Sequence, residues 1–246
     1  MTVRTYSREQ VCAHRGASGV YPENTRAAFA AAANVGAGWI ETDIQCLADG
    51  ELLIFHDACL GRTTAGTAQV TALSWPELAE LDVGSWKGAA FNTERPMRCG
   101  DLIACQREAP DRPGIIWEVK CEDDPGAVDA AVKAVTEQLE AISDHRCIVS
   151  SFSRAVLSLL RPQLPAIPMA LIAEALPPDG ISFCREHRLE GIHLDGHQVT
   201  ADLAAAACDA GLALRCYTIN DMAEAERLIA LGVSMIITDF PERFLA

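Results

Sequence analysis

The chain lacks most of what would mark it as a membrane, secreted or nucleic-acid-binding protein. None of its apolar runs approaches the roughly 18 residues needed to cross a bilayer. Met1 to Gln10 is polar and carries no leader-type apolar segment, so neither stable membrane insertion nor secretion is expected. Its ten cysteines include no C-x-x-C pair, which weakens zinc-ribbon and thioredoxin-type readings. Most, such as Cys12, Cys208 and Cys216, sit among apolar neighbours, where cysteine behaves as a small hydrophobe. A reduced, cytoplasmic protein is expected. Cations are scarce: 20 Lys and Arg face 34 Asp and Glu, a net charge of −14. That argues against a nucleic-acid partner or an anionic membrane surface. A local cluster of Arg, Lys and metal can still outweigh the global field, so an anionic small substrate remains open. No G-x-G-x-x-G follows the first apolar run, which counts against an open, doubly wound nucleotide-binding sheet.

Half of the 246 residues are hydrophobic, enough for a large core. Strand-like apolar segments begin near residues 11, 39, 115, 147, 169, 191, 213 and 235, mostly with helical stretches between them. Eight such strands with intervening helices predict a (β/α)₈ TIM barrel, an α/β fold whose typical length is about 250 residues. One barrel domain over residues 1–246 is expected. Residues 57–112 break the rhythm, being rich in Gly, Thr and Pro. They read as an excursion over one end of the barrel, with a helix at Trp75–Leu81 capped by Ser74 and a further turn at Asp101–Arg107. Trp75, Trp86 and Phe91 would either anchor its small core or line a substrate mouth, and anchoring is the commoner fate. Asn24 reads as the cap of the Ala-rich helix that follows it.

The chemistry concentrates between Val11 and Arg62. Three apolar runs end in ionisable groups: His14 and Arg15, then Glu41 and Asp43, then His56. Such groups are costly to bury unpaired, and three in succession suggest a site. Glu41 and Asp43 are two residues apart, so on a strand they share a face. Their repulsion would be relieved by a cation, and hard carboxylate oxygens suit one divalent ion, Mg²⁺ or Ca²⁺. The link from Ile44 to Leu52 is too short for a parallel crossover and contains Asp49-Gly50, so the two strands should form a hairpin. A Leu47–Gly50 loop would pair Glu41 with His56. A two-residue Asp49-Gly50 turn would pair Asp43 with His56 instead. Glu118 and Lys120 repeat the two-residue spacing at the end of a later strand, offering a third carboxylate and a second cation beside Arg15. A structural ion pair is the plainer reading of those two, but it leaves Glu41 and Asp43 uncompensated. Three carboxylates, two histidines, one Arg and one Lys fit phosphoryl chemistry, with the histidines exchanging protons. His193 ends a strand and could reach the mouth.

These residues resemble the glycerophosphodiester phosphodiesterase family, particularly its short bacterial cytoplasmic members. The resemblance rests on His14-Arg15-Gly16, Pro22-Glu23-Asn24-Thr25, Glu41-Thr42-Asp43, Asp49-Gly50, His56-Asp57 with Leu60 and Arg62-Thr63, Glu118-Val119-Lys120, Tyr217-Thr218-Ile219-Asn220 and Thr238-Asp239. It implies a (β/α)₈ barrel with a small insertion after His56-Asp57. It also implies hydrolysis of small glycerophosphodiesters to sn-glycerol 3-phosphate and an alcohol. His14 and His56 would be the acid/base pair. Glu41, Asp43 and Glu118 would hold the metal, and Arg15, Lys120 and Tyr217 would contact substrate. One family-type route starts with attack by the neighbouring glycerol hydroxyl, giving a cyclic phosphate that water opens. A homodimer is compatible with this picture. Tyr217 stands where the family usually has Trp, and Met97–Leu102 departs from the usual insertion motif; both bear on the mouth and the leaving alcohol. The competing expectations are a lysophospholipase D, which needs an apolar groove, and a non-catalytic barrel that binds phosphorylated ligands.

Overall fold

The computed structural model describes residues 6–108, 112–122, 124–140 and 146–245. Ten strands occur among them: β1 (Val11–His14), β2 (Trp39–Cys46), β3 (Leu52–Ile54), β4 (Met97–Arg98), β5 (Gly114–Val119), β6 (Cys147–Ser151), β7 (Met169–Ala173), β8 (Gly191–Asp195), β9 (Ala213–Tyr217) and β10 (Met235–Thr238). β1 pairs in parallel with both β2 and β10, and the parallel order β1-β2-β5-β6-β7-β8-β9-β10 closes into a barrel. The predicted (β/α)₈ barrel is therefore the fold, with strand starts within one residue of expectation.

The helices are α1 (Arg26–Asn34), α2 (Trp75–Leu78), α3 (Cys99–Glu108), α4 (Pro125–Glu140), α5 (Arg154–Gln163), α6 (Gly180–Glu186), α7 (Ala201–Asp209) and α8 (Met222–Ala230). Each long one buries a single stripe. In α4, Val128, Ala131, Val132, Val135 and Leu139 recur at helical spacing and all are buried. In α5, Val156, Leu157 and Leu160 are fully buried, each contributing about 1.5–3 kcal/mol relative to exposure. α2 is shorter than predicted, ending at Leu78, although the Glu77 carboxylate accepts hydrogen bonds from the backbone and hydroxyl of Ser74 as a capping box. Trp75 packs against a small cluster built on Leu47, Leu53, Phe55, Val70 and Leu78, while Trp86 is exposed and Phe91 meets Tyr21 edge-on. Anchoring thus holds for Trp75. No helix of the described residues is long and apolar enough to cross a membrane.

Two local expectations fail. The β2–β3 hairpin is antiparallel, but its register pairs Ile44 with Ile54 and Cys46 with Leu52. It lies midway between the two anticipated registers, so neither Glu41 nor Asp43 is the cross-strand partner of His56. A five-residue loop causes this: the Leu47 amide donates to the Glu51 carbonyl, and Gly50 takes φ +85°, a left-handed conformation natural to glycine. Nor is Asn24 the cap of α1. Thr25 is, its hydroxyl accepting from the Ala28 amide, while Asn24 sits at φ +59° and turns its side chain inward.

Candidate active site

Barrel closure turns strand alternation into a ring of inward-facing side chains. Parallel register sets His14 beside Glu41, Asp43 beside Glu118, and Glu118 beside Ser150. All lie at the C-terminal end of the barrel, the end at which barrel active sites sit. His14, Arg15, Glu41, His56, Glu118, Lys120, Phe152 and Tyr217 line one cavity of about 190 Å³, with Ser150, Ile172, His193 and Ile237 deeper in it. The tight turn after β1 makes this possible. Gly16 has φ +81°, and a Cβ there would lie 2.6 Å from the Ala28 backbone, so α1 packs directly on the turn.

Glu41 and Asp43 are almost fully buried, and Glu118 nearly so. One oxygen from each lies within 4.8 Å of the others. Burial and the two neighbouring carboxylates push Glu41 well above the usual carboxylate range. Burial and Asp43 raise Glu118 to about 7. Burial also opposes ionisation of Asp43, but Arg15 and Lys120 outweigh it and hold that carboxyl at about 2. Lys120 contacts Glu118 directly, and its ammonium lies 3.2 Å from Asp43 Oδ1. Those cations leave Glu41 Oε1 and Asp43 Oδ1 buried without a hydrogen bond, because the Lys120 contact to Asp43 is close but not aligned for one. Two orphaned buried acceptors beside a third carboxylate fit one hard divalent ion with oxygen ligands.

Both histidines are gripped in the same way. His14 Nδ1 lies 2.7 Å from Asp239 Oδ1, and His56 Nδ1 lies 2.7 Å from Asp57 Oδ1. A carboxylate only accepts, so each ring donates from Nδ1 and turns its lone pair to Nε2, which in His14 lies 3.9 Å from Glu41 Oε2. Burial lowers His56 below the ordinary imidazole value, with Asp43 and Asp57 opposing and Arg15 assisting. Asp239 in turn accepts from Ser18 Oγ (3.0 Å) and Asn220 Nδ2 (2.8 Å). Burial disfavours its charge, yet the His14 contact and these hydrogen bonds hold it at about 2.

A chain of alternating charge runs beside the carboxylates. Asp57 accepts from Arg62 at 2.7 and 2.9 Å, Arg62 reaches both Glu23 oxygens at 2.7 Å, and Glu23 accepts from Arg15 at 2.8 Å. Arg15 Nε then lies 3.3 Å from Asp43 Oδ2. Asn24 Nδ2 donates to the same oxygen at 2.9 Å, and its own oxygen accepts from Thr42. Asn24, Asp57, Arg62 and Asp239 were thus absent from the expected site. Each belongs to a motif noted in the sequence, but only the distances reveal its partner. Tyr217 lines the cavity, but its hydroxyl donates to the Ala173 carbonyl at 3.1 Å, so it offers the pocket a ring. His193 is buried below the mouth, 3.4 Å from Arg215.

Comparison with known proteins places this geometry in context. Residues 14–243 match the model of the glycerophosphoryl diester phosphodiesterase family. A glycerophosphodiester phosphodiesterase of Bacillus altitudinis is 29% identical, the alignment covering 95% of this chain and 96% of that protein. One of Bacillus subtilis is 28% identical over 94% of this chain and 84% of its own length. A phosphodiesterase of Oleispira antarctica, solved with the product sn-glycerol-3-phosphate, superposes with a TM-score of 0.90 at 29% identity, covering 96% of this chain and 94% of that one.

Proposed function

The chain belongs to the glycerophosphoryl diester phosphodiesterase family, and from that membership we propose a reaction for the cavity at the barrel mouth: metal-dependent hydrolysis of small glycerophosphodiesters to sn-glycerol 3-phosphate and an alcohol, with His14 and His56 as the acid/base pair. As a member the protein is a glycerophosphodiester phosphodiesterase, a phosphoric diester hydrolase. The observation that carries the reaction is the pair of His–Asp contacts, which leave the lone pair of each ring at Nε2, beside a buried carboxylate triad.

Glu41, Asp43 and Glu118 would hold one Mg²⁺ or Ca²⁺. That ion, when bound, supplies positive charge to the phosphoryl oxygens as charge moves to the leaving group. Lys120, already at the triad, offers its ammonium to the same oxygens. Arg15 is held by Glu23 and Asp43, so it orients the acidic cluster as well as facing the anion. One imidazole removes a proton from the attacking hydroxyl at Nε2, and the other delivers one to the departing oxygen. Asp57 and Asp239 keep both rings in the tautomer this exchange needs. Tyr217 contributes its ring to the wall of the mouth. The same reading takes residues 1–246 as one barrel domain with a small insertion at 57–112. It also places the protein in the cytoplasm, where ten free thiols stay reduced.

The deciding experiment measures release of sn-glycerol 3-phosphate from glycerophosphocholine and glycerophosphoethanolamine with added Mg²⁺ or Ca²⁺, then with a chelator. Turnover that needs the ion is expected. Undiminished turnover in chelator would sink the metal assignment, and no release with either ion would sink the reaction.

A further inference from the structure

β2 carries more than two of the triad carboxylates. Alternation along the strand puts Gln45 on the same face as Glu41 and Asp43. Gln45 is 4% exposed, and its side-chain nitrogen donates to two backbone carbonyls, that of Phe55 at 2.7 Å and that of Asp57 at 2.9 Å. These are the carbonyls on either side of His56. An amide nitrogen has two hydrogens and a carbonyl only accepts, so both donors are spent and the partners fix which way the amide faces.

This clasp begins where the hairpin stops. The Phe55 amide still donates to the Asp43 carbonyl, at 3.1 Å, but the last cross-strand pair is Ile44 with Ile54. His56 lies beyond it, on a segment without regular structure. Its ring is also less enclosed than that of His14, 32% against 17% exposed. Asp57 and Arg62 hold the ring from the outer side, and both are partly exposed. Gln45 holds the backbone from the inner side and is buried.

We infer that Gln45 is a positioning residue for His56: it ties the peptides on both sides of the imidazole to the strand that bears Glu41 and Asp43, and so fixes the distance from the ring to those carboxylates. This role rests on the hydrolase reading above, in which His56 exchanges protons. Asp57 cannot do the same work, because it is the next residue and would travel with His56 if the segment moved. The Asp57 carboxylate sets the tautomer of the ring, and Gln45 sets its place.

The test starts from Gln45→Met, which keeps the length of the side chain and removes both donors. Turnover of glycerophosphocholine should fall by roughly 10–100-fold, up to what about an ångström of misplacement costs, with KM little changed. In a His56→Ala background the same substitution should cost nothing further, because the group it acts through is gone. NMR relaxation of the ring carbons should show a mobile His56 in Gln45→Met and an unchanged His14. Wild-type turnover in Gln45→Met, a loss that repeats in His56→Ala, or a His56 ring as rigid as before would overturn the role. Should Gln45→Met not fold, Gln45→Asn carries the same test, its amide being one methylene too short to reach both carbonyls. The relaxation is read without turnover. A ring freed in the variant of a protein that hydrolyses nothing breaks the reaction alone, and a rigid ring in one that hydrolyses breaks the clasp alone.

Discussion

The two histidines present the same chemical unit, an imidazole with Nδ1 held 2.7 Å from a carboxylate, yet the chain assembles the two units by opposite means. His56 and Asp57 are neighbours in sequence. Their pairing is local and is steadied from outside by Arg62 and Glu23, at the exit of a hairpin. His14 and Asp239 are 225 residues apart. They meet only because β1 and β10 are adjacent when the barrel closes, Ala13 lying beside Thr238. One unit depends on side-chain ion pairs near the surface, the other on barrel closure. Two imidazole–carboxylate units can therefore be matched in geometry while being unmatched in what would disturb them.

The largest expected effect tests their equality. His14→Ala and His56→Ala should each lower turnover by roughly 10²–10⁴-fold, as loss of a general acid or base does. Steady-state kinetics on glycerophosphocholine would check this, and near-wild-type rates in both variants would remove the acid/base assignment. The next effect probes the grips. Asp57→Asn and Asp239→Asn should each cost roughly 10–100-fold in turnover, the range seen when an outer partner of a functional histidine is lost. An unchanged rate in either variant would show that its ring needs no orientation from that carboxylate.

Stability offers a further test at the closure-dependent unit. The folded-state carboxyl of Asp239 is held at about 2, below the ordinary value near 3.9 expected when unfolded. A carboxyl lowered on folding stabilises the protein above its unfolded value, and that stabilisation is lost as pH falls through about 2. Asp239→Asn should therefore be less stable by about 2 kcal/mol at neutral pH, with the gap closing between about pH 4 and pH 2. Urea titrations across that window would show it, and a gap independent of pH would contradict the linkage. Arg62→Met should have the smallest effect. Its guanidinium is 45% exposed, and exposed ion pairs contribute about 0–1 kcal/mol. A few-fold loss of turnover is expected, and only through His56. A loss as large as that of Asp57→Asn would mean that the ion-pair chain, rather than the neighbouring carboxylate, positions the ring.

Much of this was legible in the residues. Apolar segments of strand length alternating with helical ones specify the barrel because each type of segment can bury its apolar side in only one way. The two-residue spacings of Glu41 with Asp43 and of Glu118 with Lys120 fix which side chains share a face, since strand alternation is a local property. The hairpin was legible but its register was not. A one-residue difference in the loop decides it, and that depends on the Leu47–Glu51 hydrogen bond and the left-handed Gly50. Asn24 was not legible, because a cap and an inward-facing amide look alike in sequence; Thr25 outcompetes it for the helix end while Asp43 draws its side chain inward.

What the sequence determined alone is the set of strands, the faces of their side chains and the acidic, histidine-bearing ends. What only the tertiary structure decided is which ends meet: Asp43 beside Glu118, and Asp239 against His14. The reason is physical. Alternation along a strand is set by the backbone of a few residues, whereas proximity around the barrel is set by closure, which depends on every strand at once.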